Sequence, residues 1–262
     1  ITKVDEMKKK TTEDDVRDHL RGFARTIPAF LMAYGNNKTT LANFEENIDE
    51  ATFKDLTGIT IDEFKKLRDG FDYIDDDGNN RKVPGLFNVV VFNACIKEFF
   101  NTKNRLSNYF DETLAEDIFD YIPPQKTNQI FTPRKVVKMM VDLIAETNPG
   151  IFSNYNVKFL DLYAKSGLYI TEIVKRLNIG LKEQIPNSRE RIKWILENQV
   201  YAFTPSNIIY NIVKNYVFSD FHDVSDKNIV QLDLNKYINS DNVNEKVIES
   251  FGGEDLKFDV II

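Results

Sequence analysis

The sequence predicts an α/β fold, a parallel sheet covered by helices and preceded by an all-helical region, and three features lead there. Through the first 118 residues apolar side chains recur at helical spacing, with no convincing strand alternation. From Tyr121 the pattern changes to short apolar runs alternating with helical stretches, the order of a parallel sheet. The first of these runs ends in a glycine-bearing turn that opens a helix, and such a turn places a ligand site at the carboxyl end of a strand. The predicted domains are therefore 1–118, helical, and 119–262, built on the sheet.

In the helical region, Asp14 to Tyr34 carries Val16, Leu20, Phe23, Ile27, Phe30 and Leu31 at the spacing of one buried helix face, with Pro28 expected to kink it or end its first half. Thr60 with Glu63 three residues later has the form of a capping box, opening a helix to about Arg68. Val83 to Leu106 is expected to hold one or two longer helices. Asp75-Asp76-Asp77-Gly78 invites a calcium-loop reading, but with Gly78 as sixth position the first ligand falls on Tyr73 and the twelfth on Pro84, so a solvated turn is expected.

In the second region, Thr132-Pro133 is read as a capping residue followed by Pro at the first helical position, starting a helix to about Glu146. Strands are expected at Val157 to Leu162, Gln199 to Phe203, Asn228 to Leu232 and Lys257 to Ile262. Helices are expected at Leu168 to Leu177, Pro205 to Val217 and Asn242 to Phe251.

Composition narrows the function classes. A 42% hydrophobic and 29% charged chain is globular rather than disordered, and no run approaches the roughly 18 apolar residues of a membrane span. The charged start, Ile1 to Lys10, does not read as a secretory signal, and the single cysteine, Cys95, agrees with a reducing cytoplasm and is expected to be buried. A net charge of −7 makes this chain a poor DNA binder by itself, because Lys and Arg supply most phosphate affinity. Lys8-Lys9-Lys10 and Arg189 to Lys193 are read as solvated helix faces. With His19 and His222 the only histidines, no metal cluster and no Ser-His-Asp order stand out.

The turn after the first strand reads Phe159-Leu160-Asp161-Leu162-Tyr163-Ala164-Lys165-Ser166-Gly167-Leu168-Tyr169. About thirty residues upstream lies Asn128-Gln129-Ile130-Phe131-Thr132-Pro133-Arg134, and downstream lie a strand ending at Asp233 and a last strand Phe258-Asp259-Val260-Ile261-Ile262. From about Tyr121 to Ile262, this order resembles the adenine-N6 DNA methyltransferases of restriction-modification systems, which have a Rossmann-like sheet. In that family a Phe-Thr-Pro turn precedes the cofactor strand, and a Phe-Asp-x-Ile-Ile strand leads into an Asn-Pro-Pro-Tyr loop.

The resemblance implies S-adenosyl-L-methionine as cofactor and DNA as partner. It places Phe131, Thr132 and Pro133 against the methionine part, and Asp161, Tyr163, Lys165, Ser166 and Gly167 around the amino-acid end. Thr204 falls at the ribose position and Asp233 at the adenine amino group. It implies no metal and no membrane partner. The family flips a target adenine into the Asn-Pro-Pro-Tyr loop. That loop is not in this sequence, so no catalytic residue is assigned, and this stretch alone is expected to be inactive.

Two departures leave an alternative open. The family turn is Asp-Pro-x-x-Gly-x-Gly, whereas Leu162 stands for its Pro and Lys165 for its first Gly. The second strand usually ends in an acid that binds the ribose hydroxyls, and Tyr201-Ala-Phe-Thr-Pro205 offers only the neutral Thr204. Against the cofactor reading stand a plain Rossmann-type sheet, in which Asp161 caps a helix, Asp233 ends a strand and Thr132 starts a helix, and a degenerate coupling or interaction module, supported by Leu162, Lys165 and Thr204, whose pocket no longer takes the cofactor. A nicotinamide oxidoreductase would need Gly-x-Gly-x-x-Gly and a following acid, which are absent.

Arg21 to Tyr34, with Phe53 to Gly58 and Phe64 to Gly70, resembles the helical segment after the motor in restriction enzymes that fuse a helicase/ATPase to a methyltransferase. That implies a mechanical coupling role, with helicase and specificity domains in the same protein. The chain opens on Ile and closes within an apolar strand, as a piece of a longer protein would.

Overall fold

Six phenylalanines, Phe23, Phe30, Phe44, Phe53, Phe64 and Phe92, meet ring to ring at the centre of the helical region, so that each helix there is held by aromatic contacts. The structure, a computed structural model, describes residues 12–74, 77–123, 130–239, 242–252 and 256–262. The sequence features at Lys8-Lys9-Lys10, Asp75, Asp76, Asn128 and Gln129 lie outside the described residues.

Helix α1 (Thr12–Tyr34) runs through Pro28 without ending there. A short α2 (Glu50–Thr57) turns at Gly58, whose φ of 79° suits glycine, into α3 (Ile61–Asp69). The capping box is formed as expected: the Thr60 hydroxyl accepts from the Glu63 N–H at 3.1 Å, and the Glu63 carboxylate accepts from the Thr60 N–H at 2.8 Å. The structure then departs from the all-helical expectation. Strands β1 (Gly70–Ile74) and β2 (Asn80–Pro84) form an antiparallel hairpin, Gly70 opposite Pro84 and Ile74 opposite Asn80. The hairpin is exposed on both faces, so no apolar alternation marks it. Only after it does α4 (Val89–Arg105) begin, burying Phe92, Ile96 and Phe100. Cys95 is exposed, contrary to expectation. The run from Leu86 to Phe100 holds more apolar residues than α4 has inward positions, and Cys95, like Val89 to Val91, falls on the outer side.

Beyond α4 come α5 (Arg134–Thr147), β3 (Phe159–Asp161), α6 (Leu168–Gly180), α7 (Ser188–Asn198), β4 (Val200–Thr204), α8 (Asn207–Val217), β5 (Ile229–Gln231), α9 (Val243–Phe251) and β6 (Val260–Ile261). Strands and helices thus fall where the sequence predicts them. Helix α7 adds an element of which the sequence reading saw only the basic face, and that face is not simply solvated: Arg189 pairs with Asp223, while Arg191 is buried and donates to Asn178 at 2.8 Å.

The four sheet strands are all parallel, in the order β5-β4-β3-β6. One face, with Phe159, Val200, Ala202 and Ile229, packs on the aliphatic residues of α6, α7 and α8. The other, with Leu160, Tyr201 and Phe203, is covered by Phe251 of α9 and by Phe258. The helical region docks on this unit through α1 and α8, where the Asn215 side chain donates to the Met32 and Ala33 carbonyls at 3.0 Å each and so satisfies backbone acceptors of the last turn of α1. A charge network binds α5 to α6: Lys175 pairs with Glu112 at 2.6 Å and with Glu172, and Arg176 pairs with Glu172 at 2.9 Å and with Asp142. No helix among the described residues is long and apolar enough to cross a membrane.

A candidate ligand site at the carboxyl edge of the sheet

From β3 the chain steps outward through β4 to β5 and then returns to the other side of β3 to lay down β6. The strand order therefore reverses at β3, and in an open parallel sheet such a switch point leaves a crevice beyond the strands' carboxyl ends. The turn 161–167 lies at this point. It is tied to both neighbours: the Leu162 N–H donates to the Ile262 carbonyl at 3.1 Å and the Ala164 N–H to the Phe203 carbonyl at 2.9 Å.

Gly167 closes the turn with a φ of 84° and serves as N-cap of α6. A Cβ there would stand 2.8 Å from Val217 Cγ2, so both conformation and packing against α8 demand glycine. The Ser166 hydroxyl accepts from the Leu168 N–H at 3.2 Å, and the next first-turn amides of α6 have no intrahelical acceptor. These amides and the helix dipole make the start of α6 favourable for negative charge.

Asp161 is buried, 8% exposed, with a carboxylate oxygen accepting from the Tyr163 N–H at 3.0 Å. It does not cap α6. Burial pushes its pKa up to about 6, against a smaller lowering by the Tyr163 N–H. A carboxylate held in this way gains from a cation that replaces its lost hydration. Tyr163 is exposed, and the Lys165 ammonium lies 5.7 Å from the centre of its ring.

Thr132 reaches the same neighbourhood by a route the sequence did not indicate. Pro133, not Thr132, is the N-cap of α5, and among the described residues no side chain caps that helix. The Thr132 side chain instead lies near the Tyr169 hydroxyl of α6, where it lowers the pKa of that phenol. The Tyr169 hydroxyl donates to Met140 Sδ at 2.7 Å, and burial and the Asp161 charge raise its pKa. Tyr169 thus joins the Phe-Thr-Pro segment to the Asp161 turn, and no local sequence pattern singles it out. Phe131 anchors that segment by packing on Phe119, 4.9 Å between ring centres, while Pro133 is exposed.

Thr204 is placed differently. It is fully buried at the end of β4, and its hydroxyl donates to the Val230 carbonyl at 3.2 Å. Asp233 follows β5, half-buried, and accepts from the Asn235 N–H at 3.1 Å as cap of a 3-10 turn at Leu234–Lys236. The structure therefore brings Phe131, Thr132, Asp161, Ser166 and Gly167 to one place around Tyr169 and sets Asp233 further along the same sheet edge. Among the described residues, no group of three or more His, Cys, Asp and Glu side chains is placed to hold a metal.

No protein-family model matches the chain. It is 28% identical over 91 residues to an uncharacterized adenine-specific methylase of Mycoplasma pneumoniae, a match covering 35% of this chain and 22% of that protein. The sequence similarity is thus to a methyltransferase-like protein, and the chain spans about a fifth of the length of the curated relative it matches. Among solved structures, a DrdV–DNA complex determined by cryo-electron microscopy matches 83% of this chain and 20% of that chain at 12% identity, with a TM-score of 0.38. A modification subunit of a putative type I restriction enzyme from Vibrio vulnificus YJ016 matches 79% of this chain and 49% of that chain at 16% identity, with a TM-score of 0.28. Scores this low do not establish a shared fold.

Proposed function

We propose that the region 119–262 is a Rossmann-like unit that binds S-adenosyl-L-methionine and serves adenine-N6 methylation of DNA within a longer restriction-modification protein. The observation that carries this reading is the position of the Asp161–Gly167 turn at the switch point of the sheet, with a buried carboxylate that meets no side-chain cation among the described residues. The donor set suits the cofactor's methionine end: Asp161 would take its ammonium, and the first-turn amides of α6 would face its carboxylate. Thr132 and Phe131 would border the same end, Ser166 and Gly167 would shape the turn, and Tyr163 with Lys165 would flank it. Asp233 would receive the adenine amino group. The Thr204 hydroxyl is already donated to Val230, so its part at the ribose position would be to shape the strand end.

The bound cofactor would supply the methyl group, and the residues of this chain would hold and orient it. The Asn-Pro-Pro-Tyr loop, DNA specificity and any helicase/ATPase motor would come from elsewhere in the longer protein, with the helical region 1–118 coupling motor to sheet. The degenerate coupling module stays as the second reading, favoured by Lys165 at the family's first glycine and by the engaged Thr204 hydroxyl.

The test is calorimetric titration with S-adenosyl-L-methionine and, separately, S-adenosylhomocysteine. Saturable binding that Asp161→Ala and Asp233→Ala each weaken, while Thr204→Ala matters less, supports the reading. Equal affinity in parent and both Asp variants overturns those two assignments, and no binding at millimolar ligand, in this chain or a longer one, favours the coupling module.

A further inference from the structure

Helix α5 is apolar on two sides. Its inner side buries Val137 and Val141, with Ile144 and Ala145 partly buried against the same core. On its outer side Val136, Met139, Met140 and Leu143 recur at spacings of three and four residues, each between 41% and 61% exposed. Apolar residues on both sides of a helix mark a face that another element covers. Met140 also accepts the Tyr169 hydroxyl, so this outer face begins at the rim of the candidate site.

The charges of α5 divide into two groups. Arg134 and Lys138 pair with Glu112, and Asp142 pairs with Arg176. Lys135 and Glu146 are exposed, and neither belongs to an ion pair among the described residues. Both also stand at the wrong end of their helix: Lys135 lies in the first turn and Glu146 in the last, where the helix dipole favours the opposite signs. The step from 135 to 146 is about three turns at 3.6 residues per turn, so the two charges share one flank of the apolar stripe. The stripe is centred between Met139 and Met140, and the charge pair between Met140 and Val141, about 1.5 Å further along the axis. A surface centred in this way, with a cation at one end and an anion at the other, is complementary to itself turned end for end. That is the condition for a two-fold contact.

We propose that α5 packs antiparallel on the α5 of a second copy of this chain, across a two-fold axis near Met140. The two apolar stripes cover each other, Lys135 meets the partner's Glu146, and Glu146 meets the partner's Lys135. Each charge then lies beside the end of the neighbouring helix whose dipole suits it. The contact needs no ligand and does not depend on the cofactor reading.

The experiment is sedimentation velocity of the chain over a micromolar concentration series, at low and high salt. The expected result is a reversible monomer–dimer equilibrium that salt weakens. Leu143→Glu, a change at an exposed position, should leave the chain monomeric. Lys135→Glu and Glu146→Lys should each raise the dissociation constant several-fold, and the double swap should recover most of that loss. Within one helix either swap relieves an unfavourable dipole contact, so a merely local effect would not be undone by combining them. Oxidation by hydrogen peroxide, read by mass spectrometry, reports on the face itself: Met139 and Met140 should be protected in the parent dimer and reactive in Leu143→Glu. A parent chain that stays monomeric throughout the series overturns the proposal, and so does a dimer that Leu143→Glu and the charge swaps leave intact. A monomer in which both methionines are protected assigns the face to another segment of the same protein and overturns it as well.

Discussion

Two carboxylates, one in each region, are buried to the same 8% exposure and are held in opposite ways. In the helical region, Glu45 accepts from Arg68 Nη1 at 2.9 and 3.0 Å, with the Lys65 ammonium at 3.9 Å. In the sheet region, Asp161 accepts a backbone N–H and meets no side-chain cation among the described residues, and its pKa rises to about 6. The first arrangement completes a packed structure, since a paired carboxylate fixes α3 against the turn before α2. The second leaves electrostatic energy unspent, which is how sites that await a charged ligand differ from sites that hold a fold.

The comparison predicts opposite signs for two similar substitutions. Because the folded pKa of Asp161 exceeds the usual carboxylate value, the folded state binds the extra proton, so its contribution to stability is full below about pH 4 and is lost as pH rises through about 6. Asp161→Asn should therefore stabilise the protein at pH 8, by up to about 3 kcal/mol, and flatten the pH dependence of urea unfolding between about pH 4 and pH 6. It should at the same time weaken cofactor binding. Glu45→Gln should act the other way, costing about 1–3 kcal/mol in the same assay because Arg68 loses a charged partner in a half-buried position. Gly167→Ala should cost about 1–2 kcal/mol from its positive φ, with some further loss from contact with Val217, and should lower cofactor affinity by shifting the start of α6. The smallest effect is expected of Thr204→Val, about 1 kcal/mol for a lost hydrogen bond to Val230, with cofactor affinity nearly unchanged.

The two regions also differ in how far the sequence revealed them. The sheet was legible because its strands are buried: Val200 to Thr204 is buried at every position and reads as a continuous apolar run, bounded by polar turns. The hairpin β1–β2 was not legible, because a strand pair exposed on both faces has no hydrophobic period. Helix α7 did carry a signal, Asn187 capping the Arg189 and Glu190 amides before buried Ile192, Ile195 and Leu196, but the charged cluster Arg189 to Lys193 interrupts its apolar period. At the candidate site, the Asp161 turn was legible as a strand–turn–helix pattern. Tyr169 was not, since its role arises from the packing of α5 on α6, with Met140 29 residues away in sequence. The engagement of the Thr204 hydroxyl likewise depends on the neighbouring strand β5, which no local pattern reveals.

The measurement that tests the central claim most directly is a titration of the ¹⁵N-labelled chain with S-adenosylhomocysteine, followed by amide chemical shifts. The account predicts saturable shifts at Asp161 to Tyr169, at Thr132 and around Asp233, with the amides of the exposed hairpin β1–β2 unmoved. Shifts confined to the helical region, or no shifts at saturating ligand, would contradict it.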